Sequence, residues 1–338
     1  MTVGLDIGSK TIKVVEITKE GDKFKLVSAG VVGYQGMDVE HLVDDKDYAA
    51  VAGIIRKLFR DVKISNKEVI IALPESQVFT RVVKFPLLTD QEIASAIKWE
   101  AEQYIPIPIN EAIVQHQTLE RRESAIPPEV LVLLVAAPRG LVEKYIKLAS
   151  MAGLTTTAVE TELLSISRSL SPDSQTALIV DFGARSSDVA IVKKGLLSFS
   201  RSIPTGGEAL TRAVSQVLGI SPMQAEEYKK TYGLATKQLE GKISVALEPV
   251  FRTIVEEIKK AIHFYQSEEK GEAPSVIILS GGASGMPEVS SYLANALGIE
   301  VSMGNPFSKM MVDPNTAKTL APYAPLYAIA AGLAMRES

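Results

Sequence analysis

The chain has 338 residues, of which 46% are hydrophobic and 22% are charged, and its formal net charge is −4. This composition excludes a disordered or fibrous protein, and the length fits two domains of about 150 residues each. The acidic balance gives no general attraction to nucleic acid or anionic lipid. The chain has no cysteine, which excludes disulfides and thiolate metal sites.

The N-terminus, MTVGLDIGS, has the pattern of a strand and not that of a signal peptide. The longest apolar run, VLVLLVAAP at 130–138, is about half as long as the roughly 20 residues that a membrane-spanning helix needs. We therefore expect a cytoplasmic protein that does not insert into the membrane and reaches it only through a partner.

The first 77 residues predict one α/β unit. Its predicted elements are strands at 3–8, 11–17 and 23–34, a helix at 46–61 and a strand at 68–74.

Residues 78–157 predict a compact unit in the order strand, helix, strand, strand, helix. Thr89 and Glu92 have the spacing of a capping box at the start of its first helix. Because strands of the first sheet precede this unit, we expect an α+β subdomain inserted into the first domain. The first domain then resumes at 158–175 and in the C-terminal helix 318–338.

Residues 176–317 are predicted to form the second domain, with several helices between 205 and 267. The strand SVIILS at 275–280 runs into a glycine turn that opens another helix. The segment APLYAIAAGLAM at 324–335 is apolar nearly all round, so we expect one helix buried between layers.

Two stretches have the same strand-turn-strand pattern, GLDIGSKTIKVVEI at 4–17 and IVDFGARSSDVAIV at 179–192. In each, the glycine of Asp-x-Gly lets backbone N–H groups approach a ligand closely, and such a turn suits phosphate oxygens. Taken singly, each is more typical of an ordinary glycine hairpin. Together they indicate a pseudo-symmetric pair that binds one polyphosphate, with Asp6 and Asp181 facing a common Mg²⁺ through water.

A third motif, ILSGGASGMPEV, places Gly281 and Gly282 at the start of a helix, where rings and phosphates can lie against bare backbone. The order of the three motifs resembles the actin-like ATPase superfamily over essentially the whole chain. This resemblance implies an α/β fold of two pseudo-symmetric ribonuclease-H-like domains around a nucleotide cleft, with AIAAGLAM as a small-residue helix crossing at the hinge. Ala184 and Arg185 replace the Asp-Gly of actins, so the second loop is expected to hold the γ-phosphate less completely.

The inserted unit lies where FtsA has its extra subdomain, and longer phrases resemble the PilM family of type IV pilus assembly. Among them are IKWEAEQYIPIPINEAIVQHQTL, GLTTTAVETELLSISRSL and SIPTGGEALTRAVSQVLGISPMQAEEYKKTYGL. The resemblance implies an adaptor with ATP and Mg²⁺ as cofactors, at the inner face of the inner membrane. Its implied partner is the N-terminal cytoplasmic peptide of PilN, held between the first domain and the insertion at strand 78–85 and helix 92–104. Pilus motor ATPases are further implied partners.

The same resemblance implies the site residues. Those at the nucleotide are Asp6, Gly8, Ser9, Lys10, Thr11 and Lys13 in the first loop, Asp181, Gly183, Ser186 and Ser187 in the second, Gly206, Gly207, Glu226 and Lys229 in the 205–267 helices, and Gly281, Gly282 and Ser284 in the third motif. Glu160 matches the position that orients the attacking water, and its alternative is an ordinary carboxylate at a helix N-terminus. A residue that orients water without the rest of a γ-phosphate clamp predicts at most slow hydrolysis of ATP.

Other interpretations stay open at this point. A filament-forming ATPase of the FtsA or MreB kind is the main alternative function, and an enzyme that transfers phosphate to a small acceptor is a third. Trp99 follows Ile93, Ala96 and Ile97 on one predicted helical face, which favours core packing, with a lip of the peptide groove as the alternative.

Overall fold

The structure is a computed structural model that describes residues 1–34, 36–267 and 270–337. Gln35, Glu268, Glu269 and Ser338 fall inside the predicted domains but outside this described part. The strands are β1 (Thr2–Ile7), β2 (Thr11–Glu20), β3 (Lys23–Gly33), β4 (Glu68–Leu73), β5 (Phe79–Pro86), β6 (Ala112–Arg122), β7 (Glu129–Pro138), β8 (Thr155–Thr161), β9 (Thr176–Phe182), β10 (Ser187–Lys193), β11 (Leu196–Ile203), β12 (Val276–Ser280), β13 (Glu300–Met303) and β14 (Met310–Met311). The α-helices are α1 (Asp45–Asp61), α2 (Asp90–Tyr104), α3 (Arg139–Met151), α4 (Glu162–Leu170), α5 (Gly207–Leu218), α6 (Pro222–Tyr232), α7 (Lys242–Ser267), α8 (Val289–Leu297), α9 (Pro314–Leu320) and α10 (Ala328–Ala334).

The two larger sheets repeat one topology. The first has the order β14-β3-β2-β1-β4-β8, and the second has the order β11-β10-β9-β12-β13. In each, an antiparallel hairpin is followed by a third antiparallel strand and then by two parallel strands on the other side of the central one. β1 and β9 therefore occupy equivalent central positions, and the prediction of a pseudo-symmetric pair is confirmed.

Helices α4 and α10 cross between the two sheets, and the crossing depends on glycine. A Cβ atom at Gly332 would lie 1.8 Å from the carbonyl oxygen of Ser165, and one at Gly4 would lie 2.0 Å from that of Ala330. All seven residues of α10 are buried. The interdomain core is thus built on backbone-to-backbone contact that a side chain would prevent.

The predicted single helix at 324–335 is divided in the structure. A 3₁₀ segment covers Ala321–Tyr327 and contains Pro325, and the α-helix begins only at Ala328. Proline has no N–H to donate along an α-helix, which explains why the α-helix begins after it.

The inserted sheet has the order β5-β7-β6, and Ile93 and Ile97 of α2 pack against it. Thr89 and Glu92 form the expected capping box, with the Thr89 N–H donating to Glu92 at 2.8 Å and the Glu92 N–H donating to Thr89 at 3.3 Å. The inserted sheet also contacts β11 of the second domain: the Ser200 hydroxyl of β11 donates to the Thr80 carbonyl of β5 at 3.3 Å. The insertion therefore contacts the second domain directly.

The segment 139–157, predicted as the end of the insertion, packs with the first domain instead. Tyr145 and Leu148 of α3 are buried in the same core as Ile55 of α1, and β8 pairs in parallel with β4. The apolar face of α3 is thus covered by the first domain rather than by the inserted sheet.

Within the described ranges, none of the helices combines the length and the apolar character that crossing a membrane requires.

Candidate functional site

Both glycine turns are closed by backbone hydrogen bonds. The Gly8 N–H donates to the Thr11 carbonyl at 3.1 Å, and the Gly183 N–H donates to the Asp181 carbonyl at 3.2 Å. The first N–H group of α5, that of Gly207, donates to the Gly183 carbonyl at 2.9 Å. Since a Cβ atom at Gly206 would lie 2.8 Å from the Gly183 oxygen, only glycine permits α5 to begin this close to the second turn.

The structure brings Asp6 and Asp181 together around Lys13. Asp6 is 1% exposed, and Lys13 donates to it at 2.9 Å. Burial lowers the pKa of Lys13, but Asp6, Asp181 and Glu162 outweigh burial and raise that pKa above its ordinary value. Burial and Asp188 raise the pKa of Asp181 to about 7. Carboxylates therefore outnumber the buried ammonium group at this point.

This charge imbalance fits a divalent cation. Carboxylates held in a poorly solvated site raise one another's pKa unless a cation compensates them. Hard oxygen ligands are also those that Mg²⁺ takes, commonly through its own water shell. Asp6 and Asp181 would hold the ion, which would neutralise charge on bound phosphates.

Glu160 was predicted to orient water, and in the structure its carboxylate pairs with two arginines. Its carboxylate accepts hydrogen bonds from Arg168 at 2.9 and 3.0 Å and lies 3.0 Å from Arg336. Glu162, the first residue of α4, lies among the cleft carboxylates instead. Burial raises its pKa well above the ordinary value, and Asp188, Asp6 and Asp181 raise it further. Glu162, and not Glu160, therefore lies with the carboxylates of the two hairpins.

Two further carboxylates were missed by the sequence reasoning. Asp188 stands directly opposite Asp181 in the β9–β10 pairing, which the hairpin register alone could have shown. Glu75 follows β4, and its N–H donates to Glu162 at 3.0 Å. Burial and Asp188 raise the pKa of Glu75 to about 7. The sequence did offer a sign of Glu75, because this carboxylate comes shortly after the buried strand β4, which pairs in parallel with β1.

The second loop is supported from inside by its serines. Ser187 is fully buried and donates to the Thr205 carbonyl at 2.7 Å, and Ser186 donates to Asp188 at 2.7 Å. The Ser187 hydroxyl therefore holds the loop. Ser9 and Thr11, in the first turn, are half-buried.

Glu226 and Lys229 connect α6 to the start of α5. Lys229 donates to Glu226 at 2.6 Å, to Thr211 at 2.8 Å and to the Gly207 carbonyl at 3.0 Å. Burial raises the pKa of Glu226, but Lys229 and Thr211 outweigh it and hold that pKa at about 2. Burial lowers the pKa of Lys229. The pair thus positions the glycines beside the second turn.

Gly281 has a φ of +83°, and a Cβ atom there would lie 2.4 Å from the Phe182 carbonyl oxygen at the end of β9. Ser284 donates to the Gly281 carbonyl at 2.7 Å and closes the turn. The following helix, α8, begins only at Val289, so Gly281 and Gly282 lie in a turn before the helix and not in its first turn as predicted.

Comparison with known proteins identifies the family of this chain and tests the predicted fold. A family model described as "Type IV pilus assembly protein PilM" matches residues 4–338. The chain belongs to the PilM family. A solved structure described as a PilM-PilN type IV pilus biogenesis complex superposes with a TM-score of 0.84 at 25% identity, covering 99% of this chain and 98% of that chain.

More distant relatives share the fold of this PilM-family chain. FtsA of Enterococcus hirae is 23% identical, covering 93% of this chain and 80% of the relative. MreB5 of Spiroplasma citri, in a structure bound to ADP, superposes with a TM-score of 0.55 at 14% identity, covering 98% of this chain and 94% of that chain. The PilM-family chain therefore has the expected actin-like fold.

Proposed function

We propose that this PilM-family protein binds ATP with Mg²⁺ between its two domains. The observation that carries the proposal is the convergence of both glycine hairpins on Asp6, Lys13 and Asp181. Each hairpin is the first of its own sheet, so a polyphosphate between them would contact both domains. Related actin-like proteins support it, since MreB5 of Spiroplasma citri has structures described as bound to ADP and to AMPPNP.

The bound nucleotide would serve an adaptor rather than a fast enzyme. Glu162 would orient a water molecule, but positioning water without a complete γ-phosphate clamp gives slow turnover. A nucleotide that contacts both domains would stabilise one relative arrangement of them. Any peptide whose affinity depends on that arrangement must in turn change the affinity for nucleotide.

The partner that we propose is the N-terminal cytoplasmic peptide of a PilN-like inner-membrane protein, which would recruit this protein to the inner face of the membrane. On the insertion, an open cavity of about 630 Å³ lies beside the first half of α2. Its lining residues are Leu88, Thr89, Gln91, Glu92, Ser95, Ala96 and Trp99. This surface includes the helix that the sequence assigns to the peptide groove, and the similarity to a PilM solved in complex with PilN supports a PilN partner.

Trp99 is 74% exposed, so the core-packing interpretation from the sequence is wrong and the groove alternative gains support. A large exposed aromatic side chain is a typical anchor for a peptide. Motor ATPases of the pilus remain further proposed partners.

The test is a calorimetric titration of the purified protein, with ATP and Mg²⁺ present, against a synthetic peptide from the N-terminus of the PilN-like protein. We expect saturable one-to-one binding near micromolar affinity, or about −8 kcal/mol. A scrambled peptide of the same composition is the control. Absence of heat at several temperatures, together with ATP-dependent pelleting of the protein, would favour a filament-forming ATPase instead.

A further inference from the structure

We infer that Arg185, at the tip of the second glycine turn, selects ATP over ADP by binding the terminal phosphate, and that Asp38 competes with this phosphate for its guanidinium group. The inference rests on the proposed nucleotide site and adds the residue that senses the nucleotide's state.

Arg185 forms an ion pair across the cleft. Its Nη1 pairs with Oδ2 of Asp38, and its Nε lies 3.8 Å from Glu208 of α5. Asp38 belongs to the first domain, directly before the 3₁₀ segment Val39–His41. The guanidinium group therefore lies between a carboxylate of each domain.

The first turn has a matching arrangement. Lys10, at its tip, lies 2.8 Å from Glu208 across the same cleft. Each turn thus presents one cation, and each cation is neutralised by a carboxylate of the opposite domain. A polyphosphate that enters between the turns must replace these carboxylates before it can contact either cation.

Asp38 and Arg185 differ in their exposure to solvent. The side chain of Asp38 is 4% exposed, whereas that of Arg185 is 47% exposed. The Oδ1 atom of Asp38 also has no hydrogen-bond partner in the described part of the chain. When Arg185 turns to a phosphate, Asp38 remains buried without its cation, which is costly. The free-energy cost is offset only when a strong anion, such as a phosphate, binds the guanidinium group of Arg185.

The groups around Asp38 add to this cost. Glu40 and His41 bring ligand atoms within 4.8 Å of one another and of Asp38, and His41 Nδ1 lies 3.7 Å from Asp38. Burial and the charges of Asp38 and Glu40 raise the pKa of Tyr34 to about 12, so the tyrosine stays neutral beside Asp38. The guanidinium group of Arg185 is therefore the permanent positive charge that pairs with Asp38.

The phosphate concerned is the terminal one because of where Arg185 lies. In the proposed site the nucleoside would lie at the Gly281 turn, which contacts Phe182 at the end of β9 in the second domain. Arg185, at the second turn, pairs with Asp38 of the first domain. A nucleotide that extends from that turn toward Asp38 would place its last phosphate nearest the guanidinium group, and ADP, which is one phosphate shorter, would not reach it.

The experiment is calorimetric titration with Mg²⁺-AMPPNP and Mg²⁺-ADP of the wild-type protein and the variants Arg185→Gln, Asp38→Asn and the double variant. Arg185→Gln is expected to weaken AMPPNP binding at least about tenfold and ADP binding less than about twofold. Asp38→Asn is expected to strengthen AMPPNP binding, and to have no effect once Arg185 is replaced. Arg212→Gln, an exposed arginine on α5, is the matched control and should change neither affinity.

Equal weakening of both nucleotides by Arg185→Gln would overturn the inference, as would unchanged AMPPNP binding. Should Asp38→Asn unfold the protein, Arg185→Gln and Arg185→Lys decide alone, since only the lysine variant keeps a cation and should recover part of the AMPPNP preference. If the wild-type protein binds neither nucleotide, the proposed function fails together with the inference. If it binds both without dependence on Arg185, only the inference fails.

Discussion

Arg168 holds Glu160 through two hydrogen bonds, at 2.9 and 3.0 Å, and Glu162, only two residues away, lies among the cleft carboxylates instead. Arg168 also donates to the Gly332 carbonyl of α10, so the pair belongs to the crossing of α4 and α10. Glu162 begins α4 after Thr161, whose hydroxyl accepts from the Leu164 N–H and caps the helix. The change from strand to helix at Thr161 sends the two glutamates to different surroundings.

Glu162→Gln is expected to lower ATP hydrolysis about 100-fold while nucleotide binding is retained, because the amide would not orient the attacking water as the carboxyl group does. Glu160→Gln should leave the hydrolysis rate unchanged and lower the free energy of unfolding by about 2 kcal/mol, since Arg168 and Arg336 lose their partner. Phosphate release and thermal unfolding measure the two effects. Equal hydrolysis rates for Glu162→Gln and the wild type would contradict the role of Glu162.

The sequence carried enough information for the fold and for much of the site. The repeated hairpin predicts both central strands, and it places Asp6 and Asp181 at equivalent positions next to the last residue of each strand. Glu160 and Glu162 could not be separated in this way, because the deciding change from strand to helix lies between them. The pairing of Arg185 with Asp38 is beyond sequence reasoning, since it joins loops of different domains.

Alanine substitutions at two helical glycines, Gly332 and Gly140, are expected to have opposite effects on stability. Gly332→Ala places a methyl group 1.8 Å from a backbone oxygen, and we expect a loss of about 3 kcal/mol or more in the free energy of unfolding. Gly140, in the first turn of α3, faces open space, so Gly140→Ala should stabilise by about 0.5 to 1 kcal/mol. Denaturant unfolding of both variants measures the difference. A stable Gly332→Ala variant would contradict the close crossing of α4 and α10.

The raised pKa of Glu75 makes the free energy of unfolding depend on pH. Burial and Asp188 raise its pKa from 4.5 to about 7, so the folded state binds a proton that the unfolded state releases. Its contribution to stability is therefore complete below about pH 4.5 and is lost as the pH rises through about 7. The loss corresponds to about 3 kcal/mol.

Glu75→Gln should remove this dependence and stabilise the nucleotide-free protein at about pH 8 relative to the wild type. Unfolding midpoints between about pH 5 and pH 8 test it. Glu123→Gln, on an exposed loop, is the control and should follow the wild-type curve. Parallel curves for Glu75→Gln and the wild type would show that Glu75 does not titrate in this range.

Asp181→Ala is expected to lose most Mg²⁺-dependent affinity for ATP, at least about tenfold, because the second hairpin then offers no carboxylate to the cation. Without nucleotide the variant should remain folded, since the removed carboxylate is buried and its pKa is raised to about 7 by burial and Asp188. Titration of ATP with Mg²⁺ and with EDTA separates the metal effect from folding. Asp22→Ala, in the exposed turn after β2, is the control. Unchanged binding by Asp181→Ala would remove the second hairpin from the site.

Trp99→Ala is expected to weaken binding of the PilN peptide at least about tenfold, because truncation of an exposed aromatic anchor removes apolar contact area. The fold should be unaffected, since 74% of this residue is exposed in the free protein. Tyr323→Ala removes an aromatic group that is 55% exposed at a distance in sequence from the insertion, and it should leave the peptide affinity unchanged. Calorimetry with the same peptide measures both variants. If both bind like the wild type, the peptide does not use the α2 surface, and strand β5 becomes the next segment to test.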